Sequence, residues 1–353
     1  MKHLRRLFLS VIALFCISLT VSAEEEKLNI SEIVFEHVKD SHDWHITGEG
    51  ESAIVVHLPV IVHSSTGWHV FMSDKFEHEA AADGFRYGPD NLVLATEGDK
   101  AGKIYEKNGS ELTKTFDISI TKTVVTLFLC VVILLCMILI PASKFRKKNP
   151  EDPAEKGFSG LIAFLYEYVC NDIAKANIGP GYEKYCPYLL SVFFFILTCN
   201  VIGMIPFGFN VTGNIACTFL LALCTFIIVQ FSGNKHYWKD IFWPEVPLFL
   251  KTPIFPMMQV IEFVGIFTKP FALMIRLFAN MLAGHAIAIA VPCIIFVVAN
   301  AAPGMKFGLS GLSVIMSIFM MCLECLVCFL QAMVFTMLSA VFIGLARKEP
   351  EHE

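Results

Sequence analysis

Residues 185–234 read YCPYLLSVFFFILTCNVIGMIPFGFNVTGNIACTFLLALCTFIIVQFSGN and contain no Asp, Glu, Lys, Arg or His. A helix that crosses a bilayer needs only about 20 predominantly apolar residues. A single membrane-spanning helix therefore cannot use all 50 residues of this run. Pro206, Gly208 and Gly213 interrupt it. The pattern predicts a hairpin of two membrane-spanning helices over residues 185–234.

Further apolar segments lie on both sides of this hairpin. Residues 123–143 carry no charge and are long enough for one more membrane-spanning helix. Residues 248–346 contain two longer apolar stretches, which predict a second hairpin of two long, tilted helices. In residues 155–184 apolar side chains recur at i, i+3, i+4 and i+7. This spacing indicates an amphipathic helix on the cytoplasmic membrane surface.

The composition favours a membrane protein over a soluble one. The chain of 353 residues is 55% hydrophobic and only 17% charged, against about 25% charged residues in soluble domains. Its net charge of −5 leaves no basic surface for a nucleic-acid partner. No nucleotide-binding loop, nucleophile elbow or metal-ligand set is visible in the sequence. Neither a cofactor, a bound metal nor a self-contained enzyme is therefore expected.

The N-terminal end has the three parts of a secretory signal peptide. Lys2, Arg5 and Arg6 precede an apolar core, and residues 21–23 form a small-residue cleavage site. Residues 1–23 are therefore predicted to be a signal peptide, with a retained N-terminal anchor as the alternative. Export would place the following residues outside the cytoplasmic membrane.

Residues 24–122 form an acidic block with 19 Asp and Glu residues against 9 Lys and Arg residues. The block contains no cysteine, so no disulfide framework is expected. Asn108-Gly109 is typical of a hairpin turn, and short β-branched or alternating segments surround it. These segments are residues 53–62, 92–96, 103–105 and 116–121. We therefore expect a small β-rich exported N-terminal domain ahead of an all-α polytopic membrane protein with about five membrane-inserted helices.

The acidic block also holds seven histidines. A metal site around His42 and His45 is conceivable, but their spacing matches no strong zinc-binding pattern. Histidines on the solvated surface of the domain are the expected arrangement.

Basic residues follow two of the predicted membrane helices. Residues 144–148 read KFRKK directly after the first helix, and Arg347-Lys348 begin the C-terminal tail of residues 347–353. Loops rich in Lys and Arg stay on the cytoplasmic side of a membrane. The sequence therefore predicts a multi-pass protein of a bacterial inner membrane, with a periplasmic N-terminal domain and a cytoplasmic C-terminus.

Two ionisable residues lie deep inside the long apolar stretches of residues 248–346. Arg276 has no other formal charge between Lys269 and Lys306, and Glu324 has none between Lys306 and Arg347. A charge at the centre of a membrane helix costs roughly 2.5–3.5 kcal/mol on insertion scales. Both residues are too far from the helix ends to reach the interface, so we expect them to be functional.

Helical geometry distributes the polar residues around Arg276 over different faces. Asn280 lies four residues further along and shares its face. Glu262, fourteen residues earlier, is about 40° off that face and roughly 21 Å towards the cytoplasm. His285, nine residues later, points to the opposite face.

Two separated motifs resemble subunit a of the F-type ATP synthase. The first consists of Lys269-Pro270, Arg276-Leu277-Phe278-Ala279-Asn280-Met281 and Ala283-Gly284-His285. In the second, Glu324 lies seven residues before Gln331, on the same helix face, and Leu330-Gln331-Ala332 resembles the last helix of the family. The resemblance covers about residues 123–346. Residues 24–122 exceed the usual N-terminus of the family, although some bacterial members carry a comparable extension.

The resemblance implies a stator subunit beside a rotating ring of c subunits, together with the b subunits of the peripheral stalk and the other synthase subunits. Each ring subunit carries a carboxylate that crosses the lipid in its neutral form. The essential arginine of the family matches Arg276. A guanidinium cannot lose its proton in a protein, so it would draw the ring carboxylate into its ionised form and block direct proton leakage.

The resemblance also implies two aqueous half-channels. His285 and Glu324 would line the outer one, in an order exchanged relative to many bacterial relatives. Asn214, at the outer end of the first hairpin, would hold water there together with Asn200. For these asparagines a structural hydrogen bond between helices is an equally open alternative.

The remaining polar residues are expected near the inner half-channel and the ring. Glu262 would mark the inner half-channel that leads to Arg276. Gln331 would form a hydrogen bond near Arg276 and position it, and Asn280 would line the surface that faces the ring.

Two other classes of protein are compatible with parts of the sequence. A secondary transporter could use Glu324 and His285 as a proton relay, but such proteins often consist of two similar halves, and no internal repeat is visible. A receptor or assembly protein could bind a partner through the exported domain and use the helices as an anchor.

Overall fold

The computed structural model describes residues 40–47, 54–77, 81, 83–96, 102–109, 111–146, 157–204, 210–242, 257–297 and 303–348. The predicted signal peptide of residues 1–23 lies outside the described residues, and so does the hairpin tip with Pro206 and Gly208. The described chain consists of a β-rich N-terminal region followed by helices.

The N-terminal region contains nine strands among its described residues. They are β1 (Asp43–Thr47), β2 (Ile54–His57), β3 (Pro59–Ser64), β4 (Gly67–Met72), β5 (Phe85–Tyr87), β6 (Leu92–Ala95), β7 (Ile104–Asn108), β8 (Glu111–Lys114) and β9 (Phe116–Asp117). They pair antiparallel as β1-β2, as β4-β3-β9 and as β5-β6-β7-β8. The predicted β-rich region is therefore confirmed.

The predicted hairpin joins β7 to β8, but Asn108 is the last residue of β7 and the turn begins one residue later than predicted. Asn108 pairs with Glu111, and Gly109 has a φ of +67°, a backbone conformation that glycine adopts without strain. The core of the region lies between its two larger sheets. Its buried side chains are Val60, Val62, Phe71, Phe76, Leu92, Leu94 and Ile104.

The prediction of solvated histidines is wrong for at least two of them. His42 is only 4% exposed, and its Nε2 lies 3.5 Å from a carboxylate oxygen of Asp117. His69 has a largely buried side chain whose Nδ1 lies 2.9 Å from Asp90. Burial alone would raise the pKa of Asp117, but His42 and Ser119 beside it lower that pKa below its ordinary value. These histidines stabilise the domain through carboxylates that are distant in sequence. The side chain of His45 lies outside the described residues.

Asp43 is the centre of a second polar cluster in the same region. Ser73 donates a hydrogen bond to its carboxylate, Nδ1 of His57 lies 3.1 Å away, and Arg86 donates a further hydrogen bond at 3.2 Å. Burial acts to raise the pKa of Asp43, but the three neighbours together lower it. The cluster connects β1, β2, β5 and the 3₁₀ turn Ser73–Lys75.

The helical part begins directly after β9. Its helices are α1 (Lys122–Phe145), α2 (Phe158–Glu167), α3 (Cys186–Gly203), α4 (Ile215–Ser232), α5 (Lys235–Phe242), α6 (Met257–Val297) and α7 (Pro303–Arg347). Five of them, α1, α3, α4, α6 and α7, are long and apolar enough to cross a membrane, which confirms the predicted number. The last two have 41 and 45 residues and exceed the length that a bilayer requires.

The start of α1 is fixed to the N-terminal region by two hydrogen bonds. The backbone N–H of Lys122 donates to the carbonyl of Ser41 at 3.0 Å. The N–H of Thr123 donates to the carboxylate of Asp40 at 3.2 Å. A carboxylate at this place satisfies an N–H that has no partner inside the helix and interacts favourably with the helix dipole.

The predicted amphipathic helix spans residues 158–178. It begins as α2, continues as a π-helical stretch at Tyr168–Lys175 and ends in the turn Ala176–Ile178. One face buries apolar side chains such as Leu165, Val169 and Ile173 in the core of the helical part. The same core holds the centre of α3 and the inner faces of α6 and α7.

Gly344 marks the closest approach between α7 and this surface helix. A Cβ atom at Gly344 would overlap the backbone carbonyl oxygen of Asn177. A small residue that lets two backbones meet is a common device in membrane helix packing. At the same end of α7, Asn234 donates hydrogen bonds to the carbonyls of Ala346 and Arg347.

We therefore predict that Gly344→Ala destabilises the protein. An added methyl group must push the backbone of Asn177 away, and overpacking of this kind costs about 1–3 kcal/mol. Thermal unfolding of the detergent-purified chain measures the effect. Gly265→Ala on α6 is the matched control, because a Cβ there would meet nothing within 4 Å. Equal melting temperatures for the two variants would contradict the prediction.

Candidate functional site

Arg276 lies on an exposed face of α6. Leu273 and Leu277 are buried against the other helices, whereas Arg276 and Asn280 are exposed. This distribution agrees with the predicted shared face of Arg276 and Asn280. Within the part of the chain that the structure describes, no hydrogen bond or ion pair involves Arg276.

The surface around Arg276 is mostly apolar. At 100° per residue, Ala272, Ala279 and Ala283 lie within about 60° of Arg276 on α6, and all three are exposed. Lys269 and Asn280 are also exposed on this face, so the guanidinium lies among small apolar side chains, with one further cation seven residues earlier.

The side chains of His285 and Glu324 are both buried, at 5% and 8% exposure. Oε1 of Glu324 lies 3.5 Å from the position that a Cβ on Gly284 would occupy. The carboxyl group therefore packs against the backbone of α6 beside His285, in space that a larger residue at 284 would fill. Among the described residues, Oε1 has no hydrogen-bond partner.

Gln331 lies on the same buried face of α7 as Glu324, as their spacing predicted. Cys328 lies between them and is also buried. The described residues include no hydrogen bond between Gln331 and Arg276. This predicted contact is therefore absent from the isolated chain, because Gln331 points into the helix bundle and Arg276 points away from it.

Asn200 takes the structural alternative that the sequence left open. Its Nδ2 donates to the carbonyl of Cys328 on α7 at 3.3 Å, and its Oδ1 accepts a hydrogen bond from the hydroxyl of Thr212 at 2.7 Å. Asn200 and Thr212 are completely buried. The two hydrogen bonds join α3 to α7 and to the 3₁₀ turn Val211–Gly213.

Asn210 extends this buried network to α6. Its Nδ2 donates to the carbonyl of Met281 at 2.9 Å, and its Oδ1 accepts from the N–H of Gly213 at 3.0 Å. Met281 is one helical turn from His285, just as Cys328 is one turn from Glu324. The network therefore lies beside the His285 and Glu324 pair. The sequence reasoning missed Asn210 and Thr212, although a polar turn inside a charge-free run is a detectable signal.

Asn214 is the N-cap residue of α4. Its side chain accepts a hydrogen bond from the N–H of Ala216 at 2.9 Å and caps the N-terminus of α4. It is partly exposed.

A small cavity lies between four helices at the end of α6 that precedes Arg276. Its lining residues are Thr225, Phe226, Val229, Gln230, Tyr237, Ile266, Lys269, Pro270, Phe342 and Leu345. The centres of water molecules can occupy about 20 Å³ of it, which is enough for a water molecule. Oε1 of Gln230 is buried without a hydrogen-bond partner among the described residues.

Charged and titratable groups surround this cavity. The Nζ atom of Lys269 lies 5.9 Å from the centre of the Phe342 ring. Burial raises the pKa of Tyr237, and the negative charge of the nearby Glu262 raises it further. Glu262 itself is exposed. An amide and an ammonium group therefore line the cavity, and a carboxylate lies near enough to act on Tyr237 in its wall.

Comparison with known proteins gives the family. The family described as ATP synthase A chain matches residues 124–344. The chain belongs to the family of subunit a of the F-type ATP synthase. A second family, described as Domain of unknown function (DUF8433), matches residues 33–125. The boundary between the two matches coincides with the start of α1.

Several relatives carry the name of this subunit. "ATP synthase subunit a" of Chlorobium phaeobacteroides is 46% identical over 237 residues, which cover 67% of this chain and 68% of the relative. "ATP synthase subunit a 2" of Chlorobaculum tepidum is 46% identical over 231 residues, 65% of this chain and 64% of the relative. "ATP synthase subunit a" of Myxococcus xanthus is 39% identical over 236 residues, 65% of this chain and 73% of the relative.

The family confirms the resemblance that the two motifs indicated. The chain is a multi-pass membrane protein of the Fo sector, takes part in proton translocation and ATP synthesis, and associates with other synthase subunits. It is not catalytic by itself.

The buried network yields a prediction about stability. Asn210→Ala removes three side-chain hydrogen bonds, one to α6 and two from the turn Val211–Gly213. Since hydrogen bonds between membrane helices contribute about 0.6–2 kcal/mol each, the melting temperature of the purified chain should fall. Asn280→Ala, on the exposed face, should leave it unchanged. Equal effects at both positions would show that the network does not stabilise the fold.

Proposed function

We propose that Arg276 is the fixed cation that couples proton translocation to rotation of a ring of c subunits. The observation that carries this proposal is its place on an exposed face of α6, in the middle of the candidate membrane span Val260–Pro292, with no anionic partner among the described residues. A charge at membrane depth is costly unless it is paired. An anion on a neighbouring protein, such as a ring carboxylate, would compensate it.

The chemistry of the guanidinium suits this role. It stays protonated at every physiological pH and cannot pass a proton on. A ring carboxylate that arrives neutral through the lipid would therefore ionise beside Arg276 and release its proton to an aqueous half-channel. After it has passed Arg276, the carboxylate would take up a proton from the other half-channel. Asn280, on the same exposed face, would contact the ring.

We assign the outer half-channel to His285 and Glu324. His285 on α6 and Glu324 on α7 are both buried, Glu324 packs against Gly284 of α6, and its Oε1 lacks a protein partner among the described residues. A water molecule would satisfy this oxygen and continue the proton path. Asn200 holds the helices around this pair, and Asn214 would border the outer mouth from its capping position on α4.

The inner half-channel corresponds to the cavity around Gln230, Tyr237 and Lys269. Lys269 is seven residues before Arg276, about 10 Å along the axis of α6. Glu262 at the rim would exchange protons with the cytoplasm. Gln331 would position Arg276 only when the ring is present, since the isolated chain contains no hydrogen bond between them.

The same proposal fixes the orientation and the partners. Lys144 and Arg146 at the end of α1 and Arg347 and Lys348 after α7 would lie in the cytoplasm by the positive-inside rule. The N-terminal region would then be periplasmic in a bacterial inner membrane. The c-ring would contact α6, and the b subunits of the peripheral stalk would hold the chain still.

We predict that Arg276→Ala abolishes ATP-driven proton pumping in membrane vesicles. Arg276→Lys should fail as well, because a desolvated lysine can deprotonate. Ile275→Ala, which shortens the exposed apolar side chain next to it, is the matched control and should retain pumping. Assembly of the complex is checked by co-purification of the c-ring. Coupled pumping by an assembled Arg276→Ala enzyme would refute the proposal.

A second prediction concerns the proposed outer half-channel. Exchanging the two groups, as His285→Glu with Glu324→His, should preserve more proton pumping than either single substitution. The exchanged pair keeps one imidazole and one carboxyl group in the same buried space, whereas each single variant places two like groups there. Equal loss of pumping in all three variants would argue against a shared proton path.

A further inference from the structure

The sheet β4-β3-β9 has one face without any contribution to the core of the N-terminal region. Its other face provides Val60, Val62 and Phe71 to that core. The free face has nine positions, which the strand register arranges in three rows of three. The rows are Trp68–His63–Phe116, Val70–Ile61–Ile118 and Met72–Pro59–Ile120. We call these nine residues the outer sheet face.

The outer sheet face is apolar and exposed. None of its nine residues carries a formal charge, apart from a protonated form of His63, and Trp68, Val70 and Phe116 are 60%, 69% and 63% exposed. The exposed strand β8 of the neighbouring sheet differs, because it presents Glu111 and Lys114 to its surroundings. Contiguous apolar patches of this kind mark interaction surfaces, whereas a sheet face in water alternates with polar side chains.

The outer sheet face is also physically continuous with a membrane helix. After β9, the N–H of Ile118 donates to the carbonyl of Ile61 at 2.9 Å, and the N–H of Ile120 donates to the carbonyl of Pro59 at 3.1 Å. The chain therefore stays attached to β3 until two residues before α1 begins at Lys122. The row with Met72 lies at the membrane end of the sheet. The row with Trp68 lies six residues from Lys122 along the chain, about 20 Å.

We propose that the outer sheet face docks on the lipid bilayer that α1 crosses, at the boundary between headgroups and acyl chains. Trp and other aromatic side chains are enriched at this depth, and apolar faces of peripheral elements bury there. A lipid surface fits a face that offers bulk apolar groups and almost no hydrogen-bonding side chains. The exposed apolar side chains of α1, such as Phe128 and Val132, continue the same surface into the hydrocarbon.

This docking makes the N-terminal region lie along the membrane. The N–H groups of Lys122 and Thr123 donate hydrogen bonds to Ser41 and Asp40, and these bonds would hold the position and tilt of the N-terminal region relative to α1. The N-terminal region would dock in this way on either side of the membrane. This docking is separate from the proposed role of Arg276.

Photocrosslinking in the assembled synthase in native membranes tests the proposal. The photoreactive residue p-benzoylphenylalanine replaces Val70, at the edge of the middle row, and in a control chain it replaces Thr113 on β8, which is exposed outside the face. We expect the chain labelled at position 70 to gain the mass of one phospholipid upon irradiation, and the chain labelled at 113 to gain none. A crosslink from position 70 to a protein subunit would overturn the proposal. The absence of any adduct at position 70 would overturn it equally.

A charge on the same face provides an independent measurement. Val70→Asp leaves the core intact, because the side chain of Val70 points away from it. In liposomes that contain the full-length chain, aqueous acrylamide, a neutral quencher, should quench the fluorescence of Trp68 more strongly in this variant than in the parent chain. The contribution of Trp68 is obtained by difference against Trp68→Phe in each background. Full access of acrylamide to Trp68 in the parent chain would overturn the proposal.

Discussion

A permanent positive charge inside a hydrocarbon layer is the constraint on which the rest of the structure depends. Hydrocarbon offers no water to solvate Arg276, so the cation is stable only beside an anion or a polar group. The described residues place it on an exposed face among small side chains and supply no anionic partner there. The other side of α6 is packed firmly through Leu273 and Leu277. One face of α6 is thus firmly packed, and the opposite face presents a cation that is unpaired among the described residues. This arrangement is expected of a surface that binds its partner transiently.

The buried polar groups near α7 also need hydrogen-bond partners, and they find them inside the protein. Asn200, Asn210 and Thr212 satisfy one another and two helix carbonyls, so their burial is compatible with a stable bundle. Oε1 of Glu324 is the exception next to this network, since no described group binds it. The asparagines and Thr212 therefore hold the helices together, whereas this oxygen of Glu324 takes no part in that network.

Much of the architecture follows from hydrophobic patterns, because charge-free runs in a membrane protein have few alternatives. The five membrane helices, the shared face of Arg276 and Asn280 and the turn at Gly109 were predictable for this reason. Strand β4 was not, since Trp68 and Val70 make its outward positions as apolar as Phe71. The pairs that bury His42 and His69 and the links made by Asn210 involve residues far apart in sequence, and local spacing does not encode them.

The contact between Gly344 and Asn177 has a mechanical consequence. Side chains yield under a sideways force by changing rotamers, but two backbones in direct contact have no such freedom. The hydrogen bonds from Asn234 to the last carbonyls of α7 add to this stiffness. The end of the helix that carries Glu324 is thereby braced against the surface helix. This junction therefore resists sliding of α7 along the surface helix more strongly than side-chain packing alone would.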